Sequence, residues 1–230
     1  MSKTSWIIFS SIVALLFAGL IAWTRIANPP IDVSGIDTSR IITSAENNYN
    51  IEDNVKGNTK SSVVLVEYGD FQCPSCAAAH PNVETLVKEY GDRIALVFRN
   101  YPLTTIHPNA RAAAGAAEAA GLQGKYWEMH DLLFTNNQTW STLDSTARND
   151  SFASMAGTLG LDVERFKADL SSSAVTRKIS FDQALAKKDG VQATPTFIIN
   201  GAKLDEDVAS SFVNGDLAGI KSVIDKALSK

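Results

Sequence analysis

The sequence predicts an α/β domain built around a parallel βαβ unit, preceded by a single apolar helix. Three observations carry this. Val63, Val64, Leu65 and Val66 form a β-branched run of the length of a strand buried on both faces. The stretch CPSCAAAHPNVETLVKEYG follows it, with Val83, Leu86, Val87 and Tyr90 at helical spacing and Gly91 as a stop. IALVFRNYPL then supplies a second strand from about Ile94 to Arg99, so the crossover between the two is right-handed.

The remaining elements follow in order. From Trp6 to Trp23 the chain reads WIIFSSIVALLFAGLIAW without a charge, and as a helix it spans roughly 26 Å, close to a bilayer's hydrocarbon core. Indoles at both ends and Arg25 beyond fit interfacial anchors. An uncleaved anchor over residues 1–26 is the expectation; a cleaved signal peptide wants a shorter apolar core and a small-x-small site. Residues 27–60 are rich in Asn, Ser, Asp and Pro, with Pro29 and Pro30 stopping the helix. They read as a tether with one short strand near Arg40 to Thr43. The globular domain occupies residues 61–230. Within it, about 107–188 form a helical insertion, Pro108 opening it and HPNARAAAGAAEAAG packing very close to a neighbour. TPTFIING resumes the sheet and turns at Asn200-Gly201 into a short antiparallel partner. Leu217, Ile220, Ile224 and Leu228 mark a final amphipathic helix that covers the sheet.

Composition narrows function. With 230 residues, 45% of them hydrophobic and 20% charged, the chain buries a core without disulfide staples. A net charge of −4 with no basic cluster excludes a nucleic-acid partner. The two cysteines, Cys73 and Cys76, stand as CPSC at the start of the helix that follows the first buried strand. There the unpaired N–H groups and positive macrodipole stabilise a thiolate on Cys73, making it both nucleophile and leaving group. Cys76, one turn deeper, is the resolving thiol. A zinc site using His80 and His107 lacks the second CxxC or HxxxH pair that such sites bring, so no metal is expected. His80 reads as a packed helix residue, His107 as a feature of a helix start, and Phe71 and Gln72 as an apolar lip beside the thiols. Pro81 should kink its helix.

EYGDFQCPSC, the helical stretch HPNARAAAGAAEAAGLQGKYWEMHDLLF and VQATPTFIING together resemble the DsbA-like thiol:disulfide oxidoreductases of the thioredoxin superfamily, particularly their membrane-tethered bacterial branch. The resemblance covers about residues 60 to 228 and implies a thioredoxin-like fold with a helical insertion. It implies that Thr194-Pro195 is a cis-proline beside the cysteines, with the Thr194 backbone open to an extended peptide. It implies that Glu67 is a buried acid exchanging a proton with Cys76. Pro74 and Ser75 then tune the pair; serine stands where the best-known oxidases carry histidine, a weaker partner for a thiolate.

The implied function is an extracytoplasmic, single-pass membrane enzyme that donates its Cys73–Cys76 disulfide to reduced, unfolded secreted proteins, with no cofactor beyond that disulfide. A quinone-linked membrane partner of the DsbB or vitamin-K-epoxide-reductase type would reoxidise it. A reductase or isomerase on the same fold, and a tethered peptide-binding module, remain the alternatives.

Overall fold

The computed structural model describes residues 3–27 and 30–229. The chain divides into two compact units at Asp32 and Val33. The first contains helix α1, Lys3–Ala27, whose 25 residues rise about 37 Å. Its large apolar side chains, among them Trp6, Phe9, Leu15, Phe17 and Trp23, are exposed. Among the described residues no helix is long and apolar enough to cross a membrane. The span expected to do so, Trp6 to Trp23, includes Ile21 and Ala22, whose side chains lie outside the described residues.

The second unit is the α/β domain. Its sheet runs β1 (Asn54–Gly57), β3 (Ala95–Asn100), β2 (Val64–Gly69), β4 (Thr196–Ile199), β5 (Ala202–Lys203) in spatial order. Only β2 and β3 are parallel, with Glu67 opposite Phe98; β1, β4 and β5 pair antiparallel to their neighbours. Every residue of β2, β3 and β4 is buried, the apolar ones as strands covered on both faces require and Glu67, Arg99 and Asn100 among them as buried polar groups. Helix α2 (Pro74–Tyr90) makes the crossover, and Pro81 sits inside it without ending it. The helices α9 (Glu206–Val213) and α10 (Ala218–Leu228) join α2 on one face. There Leu65, Leu96, Phe197 and Ile199 meet Val83, Leu86, Phe212, Ile220 and Ile224 in one core cluster.

Between β3 and β4 the chain forms α3 (Ala110–Gly121), α4 (Tyr126–Thr135), α5 (Asn137–Trp140), α6 (Ser145–Thr158), α7 (Val163–Asp169) and α8 (Ser173–Lys188). Asp144, Asp162 and Ser172 cap α6, α7 and α8 through their side chains. The alanine face of α3 is buried, and a Cβ on Gly115 would stand 2.7 Å from the Leu170 carbonyl oxygen, so close packing there requires glycine. The helix begins at Ala110 rather than at Pro108, and Asn109 is its N-cap.

The tether expected over residues 27–60 is, from Val33 onward, part of the domain. Val33, Ile36, Ile42 and Ile51 are buried. Lys188 donates from Nζ to the carbonyls of Val33, Ser34 and Ile36. Asp53 accepts from the Ile42 N–H and forms a buried ion pair with Arg99 at 2.9 Å. Arg99 also donates to the carbonyls of Thr38 and Arg40. No strand forms over Arg40 to Thr43; the pairing segment is β1, further along, at the sheet edge. The polar composition is no guide here because four isolated aliphatics and two distant cations, Arg99 and Lys188, hold the segment down rather than a periodic pattern.

Candidate functional site

The parallel pair β2 and β3 aims its carboxyl ends at one place, and the chain leaving β2 turns there into α2. Cys73 is the N-cap of that helix, in extended conformation, with Pro74 at the first helical position. Its N–H donates to the Asp70 carbonyl, and its own carbonyl accepts from the Ala77 N–H. Cys73 keeps 6% exposure while Cys76, within the first turn, is sealed at 0%. Both are free thiols. Pro74 and Ser75 between them are exposed. From the other side comes the Thr194–Pro195 bond, which is cis and places the Thr194 carbonyl oxygen 3.4 Å from the Cys73 sulfur. Thr196 Oγ1 donates to the Ala193 carbonyl and holds the turn that carries this bond.

The electrostatics divide the two sulfurs. Cys73 is brought down to about 5, first because Cys76 donates a hydrogen bond to it, then through Thr194 and the N–H groups of Cys76 and Ser75. The helix start contributes through those N–H groups; the neighbouring thiol contributes more. Among the described residues the Thr194 hydroxyl oxygen is buried with no partner, which leaves it available to a Cys73 thiolate. Burial pushes the Cys76 thiol well above its ordinary value, reinforced by its donation to Cys73 and by Glu67 nearby. Glu67, on β2, is 2% exposed rather than a solvent-facing strand end. Desolvation raises it to about 8, with the Cys73 charge adding to the rise. A low thiolate, a high thiol and a buried carboxylic acid thus lie together, in the arrangement for proton-coupled disulfide exchange.

Other expectations change. Phe71 offers no lip: it is 1% exposed and packs between Phe98 and Phe134, both ring centroids 4.9 Å away. Gln72 is partly buried and ties the loop to the insertion, donating to the Ser141 carbonyl and accepting from the Asn109 N–H. His107 stands in the turn that opens α3, its carbonyl accepting from the Ala110 N–H, and it also reaches the site, its Nδ1 2.8 Å from Asp70 Oδ2. Asp70 is the residue that sequence reasoning missed. Its carboxylate is buried, accepts from the N–H groups of Gln72 and Leu103, and fixes the turn from which Cys73 emerges. The signal was present, since an aspartate two residues before a loop N–H is an Asx-turn pattern. Beside Pro195 an open groove is lined by Ser75, Thr194, Leu204, Ala209 and Val213. The thiols, Glu67 and Thr194-Pro195 therefore converge, while His80 stands apart on α2, buried.

Comparison with known proteins agrees with this geometry. A family model described as thioredoxin matches residues 49–215. A thioredoxin-like oxidoreductase from Silicibacter pomeroyi DSS-3 is 30% identical, with a TM-score of 0.56 over 70% of this chain and 90% of its own. BdbD from Bacillus subtilis, in its oxidised form, is 25% identical, with a TM-score of 0.63 over 77% of this chain and 94% of its own. The alpha-DsbA1 of Wolbachia pipientis shares the fold at 22% identity and a TM-score of 0.63, over 77% of this chain and 91% of its own. Among curated proteins, the Na(+)/H(+) antiporter NhaA 1 of Salinispora arenicola (strain CNS-205) is 40% identical over 151 residues, 66% of this chain. The chain spans only 22% of that protein's length, so the likeness is to one part of it. The match over most of the sequence, on a sheet that brings a CxxC helix start against a cis-proline, means that this chain belongs to the thioredoxin family and carries its DsbA-like thiol–disulfide oxidoreductase fold.

Proposed function

We propose that the chain is an extracytoplasmic thiol–disulfide oxidase that donates the Cys73–Cys76 disulfide to folding secreted or envelope proteins. The observation that carries the direction is the Cys73 thiolate, held down to about 5. A stabilised thiolate stabilises the reduced enzyme, so the disulfide form gives up its bond readily. A substrate thiolate attacks the Cys73 sulfur, the Cys73–Cys76 bond breaks, and Cys76 leaves with the bond's electron pair. Glu67, protonated at neutral pH, supplies the proton that Cys76 takes up. A second substrate thiolate then attacks the substrate sulfur of the mixed disulfide and expels Cys73 as a thiolate. The substrate loses two electrons and the enzyme gains them. The groove beside Pro195 offers an apolar floor to an extended peptide, with the Thr194 backbone at its edge.

The same reading places the enzyme on a membrane through α1. Its support is the uncharged stretch from Trp6 to Trp23 and the exposed apolar side chains of that helix. Reoxidation falls to a quinone-linked membrane protein of the DsbB or vitamin-K-epoxide-reductase type. An extracytoplasmic reductase or isomerase would use the same residues at a lower potential, and Ser75, which lacks an imidazole's charge, is what favours that second reading. Alkaline carbonate extraction of cells expressing the full chain tests the anchor: the chain stays with the membrane pellet, and deletion of residues 1–26 releases it. A full-length chain recovered in the soluble fraction would overturn the anchor without touching the redox assignment.

A further inference from the structure

Outside the thiol site, His80, His130 and Asp131 form a cluster of metal-ligating side chains among the described residues, on α2 and α4. We propose that these three side chains bind a divalent transition-metal ion of the zinc class, tying the CxxC helix to the helical insertion. One ligand atom from each lies within 4.8 Å of the other two. Asp131 Oδ1 is 2.9 Å from His130 Nδ1 and 3.9 Å from His80 Nε2. Ligands around tetrahedral zinc stand about 3.4 Å apart, given bonds of about 2.1 Å, so shifts of under about 1 Å assemble the set. The Asp131 side chain, 35% exposed, leaves the cluster open to solvent on one side.

One carboxylate oxygen faces both imidazoles: Asp131 Oδ1 is hydrogen-bonded to His130 Nδ1, while His80 Nε2 stands beyond hydrogen-bonding distance of it. His130 is 1% exposed. Lys56 Nζ lies 3.2 Å from Asp131 Oδ2 and 2.7 Å from Glu84 Oε1, so its charge competes with an ion for the Asp131 carboxylate. His80 and His130 are packed against the rings of Phe134, which limits their motion.

The test is a calorimetric titration of the full chain, in detergent and without a histidine tag, with zinc chloride. The Cys73–Cys76 disulfide is formed first, so the thiols cannot bind the ion. The expected result is one zinc per chain, with Asp131→Asn and His80→Gln each weakening binding at least about tenfold. Lys56→Gln removes a competing cation without removing a ligand and tightens binding. No stoichiometric uptake by the oxidised chain overturns the proposal. So does uptake that survives both ligand substitutions, or a loss in Lys56→Gln as large as in Asp131→Asn, which would mark the losses as packing damage. The partly exposed Asp131 keeps the test decisive if His80→Gln does not fold.

Discussion

The Thr194 carbonyl oxygen lies 3.4 Å from the Cys73 sulfur, across a chain separation of 121 residues. That contact places the turn leading into β4 against the start of α2, and it puts the Thr194 hydroxyl where a thiolate can use it.

Thr194→Val should therefore raise the Cys73 pKa above about 5. Loss of one hydrogen bond to a charged group corresponds to about one to two pH units. Thiolate absorbance at 240 nm against pH reads the midpoint; an unchanged midpoint would mean that Cys76 and the helix N–H groups do the work alone.

Glu67 gives a prediction with a definite sign. Its folded pKa, about 8, lies above its ordinary 4.5, so its stabilising contribution is complete below the unfolded value and is lost as pH rises toward the folded one. Glu67→Gln removes that loss. The reduced variant should be more stable than the parent at pH 7, by up to about 3 kcal/mol, and equal to it below pH 4 or so. Urea unfolding at a series of pH values checks this. Exchange in the variant should slow by about a hundredfold, because Cys76 loses its proton donor.

Asp53→Ala should destabilise the domain by about 3 to 5 kcal/mol, since it leaves the Arg99 guanidinium buried without its partner. Replacing both residues with apolar ones should recover much of the loss. A single variant as stable as the parent would show that the segment before β1 contributes little, as a free tether would.

Legibility in the sequence followed the range of the interactions. The βαβ unit and the closing hairpin could be read because β-branched runs, Gly91 and Asn200-Gly201 act within a few residues. Cys73 and Cys76 could be assigned opposite roles because the N-cap of a helix and the residue three further on, inside its first turn, meet different surroundings. The packed segment from Val33 to Asp53 could not be read, because Arg99 and Lys188, which hold it, lie dozens of residues away. The burial of Glu67 came from resemblance alone, since a lone acid among buried strand residues looks the same in sequence whether it faces water or a thiol. Phe71 was misread for a related reason: an aromatic beside a reactive cysteine does not reveal which way the loop turns it, and Asp70 turns it inward.

The most direct test of the central claim is the reduction potential of the Cys73–Cys76 pair, measured on the full chain by equilibration with glutathione. A Cys73 thiolate held this low predicts a potential more oxidising than about −200 mV, in the direction of the strong oxidant DsbA at about −120 mV. It also predicts that the reduced chain is more stable than the oxidised one. A potential near the roughly −270 mV of thioredoxin would contradict the oxidase reading and make the enzyme a reductase on the same fold.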